Sequence, residues 1–138
     1  MTRYAEVAVG DTLPERRFRV DRADLVRYAG ASGDLNPIHW NERAARETGL
    51  PGVVAHGMLT MGLAVRVVTD WTGDPGCVVR YRTRFRGLVV VADLDGAMVT
   101  AGGVVRDKLP DDRVTIALSV HCGPDKVLAA ASVVAQLR

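Results

Sequence analysis

The chain has 138 residues, 48% hydrophobic and 25% charged, with a formal net charge of +2. That balance fits a globular domain with its own core and excludes a disordered chain. So small a positive excess gives no basis for nucleic-acid binding, and no 18-residue window is free enough of charge to span a membrane.

The two cysteines, Cys77 and Cys122, lack the paired spacing of a metal or redox site. They read as reduced, buried thiols of a soluble cytoplasmic protein. The amino terminus carries no apolar stretch of signal-peptide length. Residues 1–138 are read as one domain, because no repeat, linker or low-complexity tract divides them.

The first half reads as helix and loop. Asp21 is expected to cap a helix through "VDRADLVRYAGASG", with Asp24 in the capping-box position three residues on and the Gly30–Gly33 region as its stop. A short second helix fits "NERAARETG", capped by Asn41 and stopped by Gly49. Between the two lies "GDLNPIH", where Pro37 disfavours helical geometry at Asn36. From Gly57 to about Trp71 the chain is apolar almost all round, which predicts a helix buried on every side.

From Gly76 onward the period changes to two. In "CVVRYRTRFRG" the residues Val79, Tyr81, Thr83 and Phe85 are expected on one face of a strand, with Arg80, Arg82, Arg84 and Arg86 on the other. "GAMVTAGGVVRDKL", "RVTIALSVHC" and "KVLAAASVVAQL" follow as three further strands, joined by turns at "PDD" and "GPD". Short turns imply antiparallel neighbours. The whole predicts an α+β fold, a strongly curved antiparallel sheet wrapped around the buried helix. Its open edge would be closed by pairing with a second subunit.

Asp34 and His39 stand five residues apart with an Asn-Pro between them, a spacing that lets both side chains face one point. A carboxylate beside an imidazole suits proton transfer near neutrality. Gly, Asp, Asn and Pro are equally the ordinary residues of a turn, so residue chemistry alone leaves both readings open. Gly57 stands at the start of the apolar helix, where free N–H groups and a partial positive charge favour a developing oxyanion. Glycine there admits a ligand close to the backbone, or else merely allows tight packing. His56 reads as a structural hydrogen bonder rather than a second acid–base group, and His121 has no visible partner. Asp34, His39 and His56 lack metal-site spacing, and Ser32 lacks the G-x-S-x-G context of a nucleophile.

Taken together, "YAGASGDLNPIHWNERAA" and "VVAHGMLTMG" resemble the hydratase-2 motif and central-helix entry of the MaoC-like (R)-specific enoyl hydratases and 3-hydroxyacyl dehydratases. Gly33, Asp34, Asn36, Pro37, Ile38 and His39 meet the motif core. Within that family the chain is most similar to the catalytic B-type subunits of the actinobacterial (3R)-hydroxyacyl-ACP dehydratase of type II fatty acid synthesis.

The resemblance implies a hotdog fold, Asp34 and His39 as the catalytic pair, and the Gly57 N–H as donor to a thioester carbonyl. Asn36 and His56 would have supporting or substrate-binding roles. It implies a substrate carried on ACP phosphopantetheine or CoA and needs no metal or cofactor, because the thioester is the electron sink. The expected partner is a second copy or an A-type hotdog subunit. The arginine row is either a solvated face or a dock for the acidic carrier. Alternatives are a tailoring dehydratase of a polyketide or other secondary pathway, and a non-catalytic hotdog partner. A hotdog thioesterase would need an acid within the central helix, which offers none before Asp70. One departure stands out: "FRGLVVVADLDG" lacks the Pro and Gly-Asp that family members often show after the strand's Phe, in a loop that helps shape the acyl pocket or subunit contact.

Overall fold

A computed structural model describes all 138 residues. Five strands form a single antiparallel sheet: β1 (Thr12–Val20), β2 (Val78–Phe85), β3 (Ala97–Leu109), β4 (Arg113–Cys122) and β5 (Asp125–Gln136), in the order β1-β3-β4-β5-β2. Three α-helices, α1 (Arg22–Ser32), α2 (Glu42–Glu47) and α3 (Gly57–Thr72), lie between β1 and β2 in the chain. The sheet curls around α3, as the α+β reading expected. No helix is long and apolar enough to cross a membrane.

Local signals explain the elements. Asp21 accepts from the Asp24 N–H while Asp24 accepts from the Asp21 N–H, a complete capping box, and Gly33 closes α1 in the left-handed region at φ 77°. Asn41 caps α2 through the Ala44 N–H. The β3–β4 hairpin turns through Asp111 and Asp112, both at positive φ, a conformation that short polar side chains tolerate. The core is aliphatic: Val99, Val105, Val114, Ile116 and Val133 from the sheet meet Val67 and Val68 from α3, all essentially inaccessible. Cys77 is buried and Cys122 half-buried, both as free thiols.

Three expectations are corrected. The first half is not only helix and loop, because β1 forms the sheet's far edge. Its alternation is hidden by Pro14 and by a register shift between Leu13 and Arg16, leaving Leu13, Phe18 and Val20 as its inward residues.

Helix α3 is not buried on every side. Thr60, Ala64, Val67, Val68 and Thr72 are covered, but Met58 is 58% exposed and Met61 and Val65 are only half-buried. The sheet covers one flank of the helix and leaves the flank beside edge strand β2 open.

On β2 the two-residue alternation also breaks. Val79 is an extra residue in the pairing with β5, and a second irregularity falls between Arg82 and Arg84. Val79 is therefore exposed alongside Arg80, Arg82 and Arg84, while Tyr81, Thr83 and Phe85 keep the helix-facing side, Phe85 lying against Gly57 and half exposed at the strand's end. Arg86 lies beyond the end of the strand.

Candidate active site

The "GDLNPIH" segment leaves α1 at Gly33 and folds by successive side-chain-to-backbone bonds. Asp34 Oδ1 accepts from the Asn36 N–H (3.2 Å), and Asn36 Oδ1 accepts from the Ile38 N–H (3.3 Å). These Asx-type turns start a single 3₁₀ turn, Pro37–His39, with the proline at its first position. Asn36 thus shapes the loop.

The loop docks on residues 53–55, which in turn pair with residues 89–91. Val54 N–H donates to the Ile38 carbonyl (3.2 Å), Ala55 N–H to the Val89 carbonyl (2.8 Å) and Val91 N–H to the Val53 carbonyl (2.9 Å). The segment that departs from the motif pattern, residues 86–96, therefore braces the strip on which the loop rests.

His39 is 8% exposed. Its Nδ1 lies 2.7 Å from the Val54 carbonyl oxygen. A carbonyl can only accept, so Nδ1 carries the proton and Nε2 presents a bare lone pair. That lone pair faces the carboxylate: Nε2 and Asp34 Oδ2 are 3.8 Å apart. This is too long for a direct hydrogen bond, yet one oxygen atom can sit within hydrogen-bond reach of both. Asp34 is half exposed, so the pair stands at a cavity mouth.

His56 lies directly behind. It is 2% exposed, its ring stacks on His39 at 3.7 Å between centroids, and Tyr28 tilts against it at 4.7 Å. Its Nε2 donates to the Asp34 carbonyl (3.2 Å), while Nδ1 is buried without a partner. Gly57 follows as the first residue of α3, so its N–H lies ahead of the helix's own acceptors. A Cβ on Gly57 would come within 2.9 Å of the Phe85 ring. The glycine lets the aromatic ring lie against the helix end.

Asp34, His39, His56, Gly57 and Phe85 line one cavity of about 340 Å³, with an otherwise mostly apolar wall. A larger cavity of about 660 Å³ lies between β1, α1 and α3; it is lined by arginines such as Arg17, Arg19 and Arg66 and holds no acid–imidazole pair. Asp34, His39 and His56 also place potential ligand atoms within 4.8 Å of one another. Yet the imidazoles lie face to face, 22° from parallel. Their in-plane lone pairs run side by side rather than converging, and one nitrogen of each ring is engaged by a carbonyl. The geometry suits proton transfer better than ligation of a metal ion.

The expected Asp34, His39, His56 and Gly57 thus line one cavity, and Asn36 shapes the loop that carries the first two. Arg80, Arg82, Arg84 and Arg86 do not join them: all four are exposed on or just beyond β2, and none has a carboxylate partner. The Val54 carbonyl, Tyr28 and Phe85 were not foreseen. His121 sits on β4 beside Ser119, within the sheet.

A hotdog whose central helix begins at an acid–imidazole pair defines a class of fold and site. The chain belongs to the MaoC like domain family, whose model matches residues 6–120. It is 37% identical over 89 residues to "3-hydroxyacyl-thioester dehydratase X" of Mycobacterium tuberculosis, covering 64% of this chain and 31% of that protein. It is 34% identical over 90 residues to the "(R)-specific enoyl-CoA hydratase" of Rhodospirillum rubrum, covering 64% of this chain and 62% of that one. A solved structure described as a "MaoC-like dehydratase" superposes with a TM-score of 0.95 at 39% identity, over 99% of this chain and 42% of its own. The chain therefore spans between about a third and two thirds of the length of these relatives.

Burial holds the His56 imidazole below its ordinary value of 6.5, opposed in part by the bond to the Asp34 carbonyl. As pH falls through about 6.5, the unfolded chain protonates His56 while the folded chain keeps it neutral. The unfolded state then binds more protons, so stability drops with falling pH. His56→Phe removes this contribution. Urea titrations of parent and variant between about pH 7 and about pH 5 should show a shallower loss of stability in the variant. Equal slopes would contradict a depressed His56.

Proposed function

We propose that the protein is a hydro-lyase acting on acyl thioesters, interconverting trans-2-enoyl and (3R)-3-hydroxyacyl thioesters. The observation that carries this reading is the His39 Nε2 lone pair, 3.8 Å from Asp34 Oδ2, in the same cavity as the Gly57 end of α3. The names of the two curated relatives, a thioester dehydratase and an enoyl-CoA hydratase, support it.

In hydration, the thioester carbonyl accepts from the Gly57 N–H at the positive end of α3. This stabilises the enolate-like oxygen as charge moves onto it. A water held between His39 and Asp34 adds through its oxygen to C3, gives up one proton to the pair, and C2 receives a proton. Dehydration is the reverse: the C2 proton leaves first toward the pair and the C3 hydroxyl departs as water. The thioester itself is the electron sink, and no metal or cofactor takes part. The mostly apolar cavity wall takes the acyl chain.

The proposed setting is type II fatty acid synthesis in the cytoplasm, with the acyl group on ACP or CoA. A second hotdog subunit, either another copy or an A-type subunit, would cover edge strand β2 and the open flank of α3. That surface exposes Val79, Phe85 and Met58 and leaves the Tyr81 hydroxyl buried without a partner.

Asp34→Asn and His39→Ala should each lower kcat for enoyl-thioester hydration by about 10²–10⁴-fold, with circular dichroism unchanged. Turnover close to the parent's in either folded variant would remove the assignment.

The row of unpaired arginines is proposed to attract the acidic carrier. If so, replacing Arg82 and Arg84 by Gln raises KM for the carrier-bound substrate and leaves kcat nearly unchanged. The effect should fade with salt, as screening shortens the reach of charge from about 10 Å at 0.1 M. A short thioester without phosphates should be indifferent. Equal KM values at low salt would leave these arginines as a solvated face.

A further inference from the structure

We propose that His56 is a positioning residue for the acid–imidazole pair, holding Asp34 through its backbone carbonyl and His39 through the face of its ring. Its effect on rate rests on the hydro-lyase reading above; its effect on the loop does not.

Helix capping does not account for a histidine at this position. His56 is the N-cap of α3 and makes no side-chain cap bond, where Ser, Asn or Asp would satisfy a free N–H. Space filling does not account for it either. With the Nε2 proton committed to the Asp34 carbonyl, Nδ1 must be a bare lone pair, and it is buried with no donor. An unpaired buried acceptor opposes folding, and an apolar ring would fill the same volume without that cost.

What histidine does here needs both a flat ring and an N–H at its far end. The ring stacks on His39 at 3.7 Å and Tyr28 tilts against it at 4.7 Å, so it backs the His39 plane. Its N–H crosses to Asp34, on a stretch where residues 30 to 37 are all exposed. The other bonds at Asp34, from its N–H to Ser32 Oγ and from the Asn36 N–H to its Oδ1, lie at the solvent-exposed surface. The buried His56 donor is therefore what ties the acid's backbone to the body of the protein. One side chain thus touches both members of the pair, Asp34 through its backbone carbonyl and His39 through the face of its ring.

The charge state agrees with this arrangement. The groups facing His56 are His39, Tyr28 and Asp34, and burial favours the neutral ring. A neutral ring lets its stacked neighbour take up a proton without a second cation at 3.7 Å.

The two contributions separate by substitution. His56→Phe keeps a flat ring against His39 and loses the donor to Asp34. His56→Gln keeps an N–H at nearly the same reach and loses the ring. Hydrogen exchange of the amides of residues 34–36, 38 and 39 is measured in the parent and both variants, together with melting temperature and the kcat and KM of enoyl-thioester hydration.

In the Phe variant, exchange across the loop should accelerate by about tenfold. Its kcat should fall by about 10²-fold, the scale expected for misplaced catalytic groups, while KM stays within about twofold of the parent. The Gln variant should return loop exchange close to the parent's and recover part of kcat. Unchanged loop exchange in the Phe variant, or kcat within twofold of the parent, overturns the proposal. So does a loss of activity that tracks a general loss of melting temperature in both variants, since that is a packing role only. If the parent hydrates no enoyl thioester, the hydro-lyase reading fails, and loop exchange alone decides whether His56 holds Asp34.

Discussion

The site depends on one buried hydrogen bond, from His39 Nδ1 to the Val54 carbonyl at 2.7 Å. Either ring nitrogen of a neutral imidazole can carry the proton, and the two tautomers are nearly equivalent in water. A carbonyl facing Nδ1 removes the choice and turns the Nε2 lone pair toward Asp34. Val54 can do this only because its own segment is fixed. It lies in the middle of a strip whose neighbours bond to Val89 and Val91, and its N–H returns to the Ile38 carbonyl. His39 is therefore oriented by a backbone strip anchored to the folded body, although it sits on an irregular loop. A surface loop with few internal contacts gains the precision of the scaffold beneath it.

The second half of the site comes from the helix that the sheet encloses. Wrapping a sheet around α3 leaves its amino-terminal end facing the cavity, where the Gly57 N–H and the positive end of the helix dipole line the wall. Phe85, the last residue of edge strand β2, lies against the same glycine and closes the cavity on that side. Acid, imidazole and helix-end N–H thus come from three segments: the turn after α1, the 3₁₀ turn and the start of α3. The sheet brings them together without contributing a polar group of its own.

Much of this was legible in the residues, and the gaps have physical causes. Helices α1 and α2 were readable from their caps, since Asp21 with Asp24 and Asn41 with the Ala44 N–H are local arrangements. Strands β3, β4 and β5 were readable because each runs for ten residues or more between clear turns. Strand β1 escaped because Pro14 and a bulge interrupt its period. The open flank of α3 was read as buried because sequence shows that a surface is apolar, not which part of the same chain covers it. The face of β2 was misassigned at Val79 because a bulge arises from pairing, which local pattern does not encode. At the site, Asp34 and His39 could be found because their motif is compact. The Val54 carbonyl could not, since every residue has one, and the Tyr28–His56–His39 stack exists only through tertiary contact.

The measurement that tests the account most directly is the fate of crotonyl thioester on the purified protein. Loss of the enoyl group is followed spectroscopically, and the configuration of the product is determined by chiral chromatography. The account predicts that water adds to C3 and that the product is the (3R)-3-hydroxybutyryl thioester. No consumption of the enoyl thioester, or a (3S) product, would contradict it.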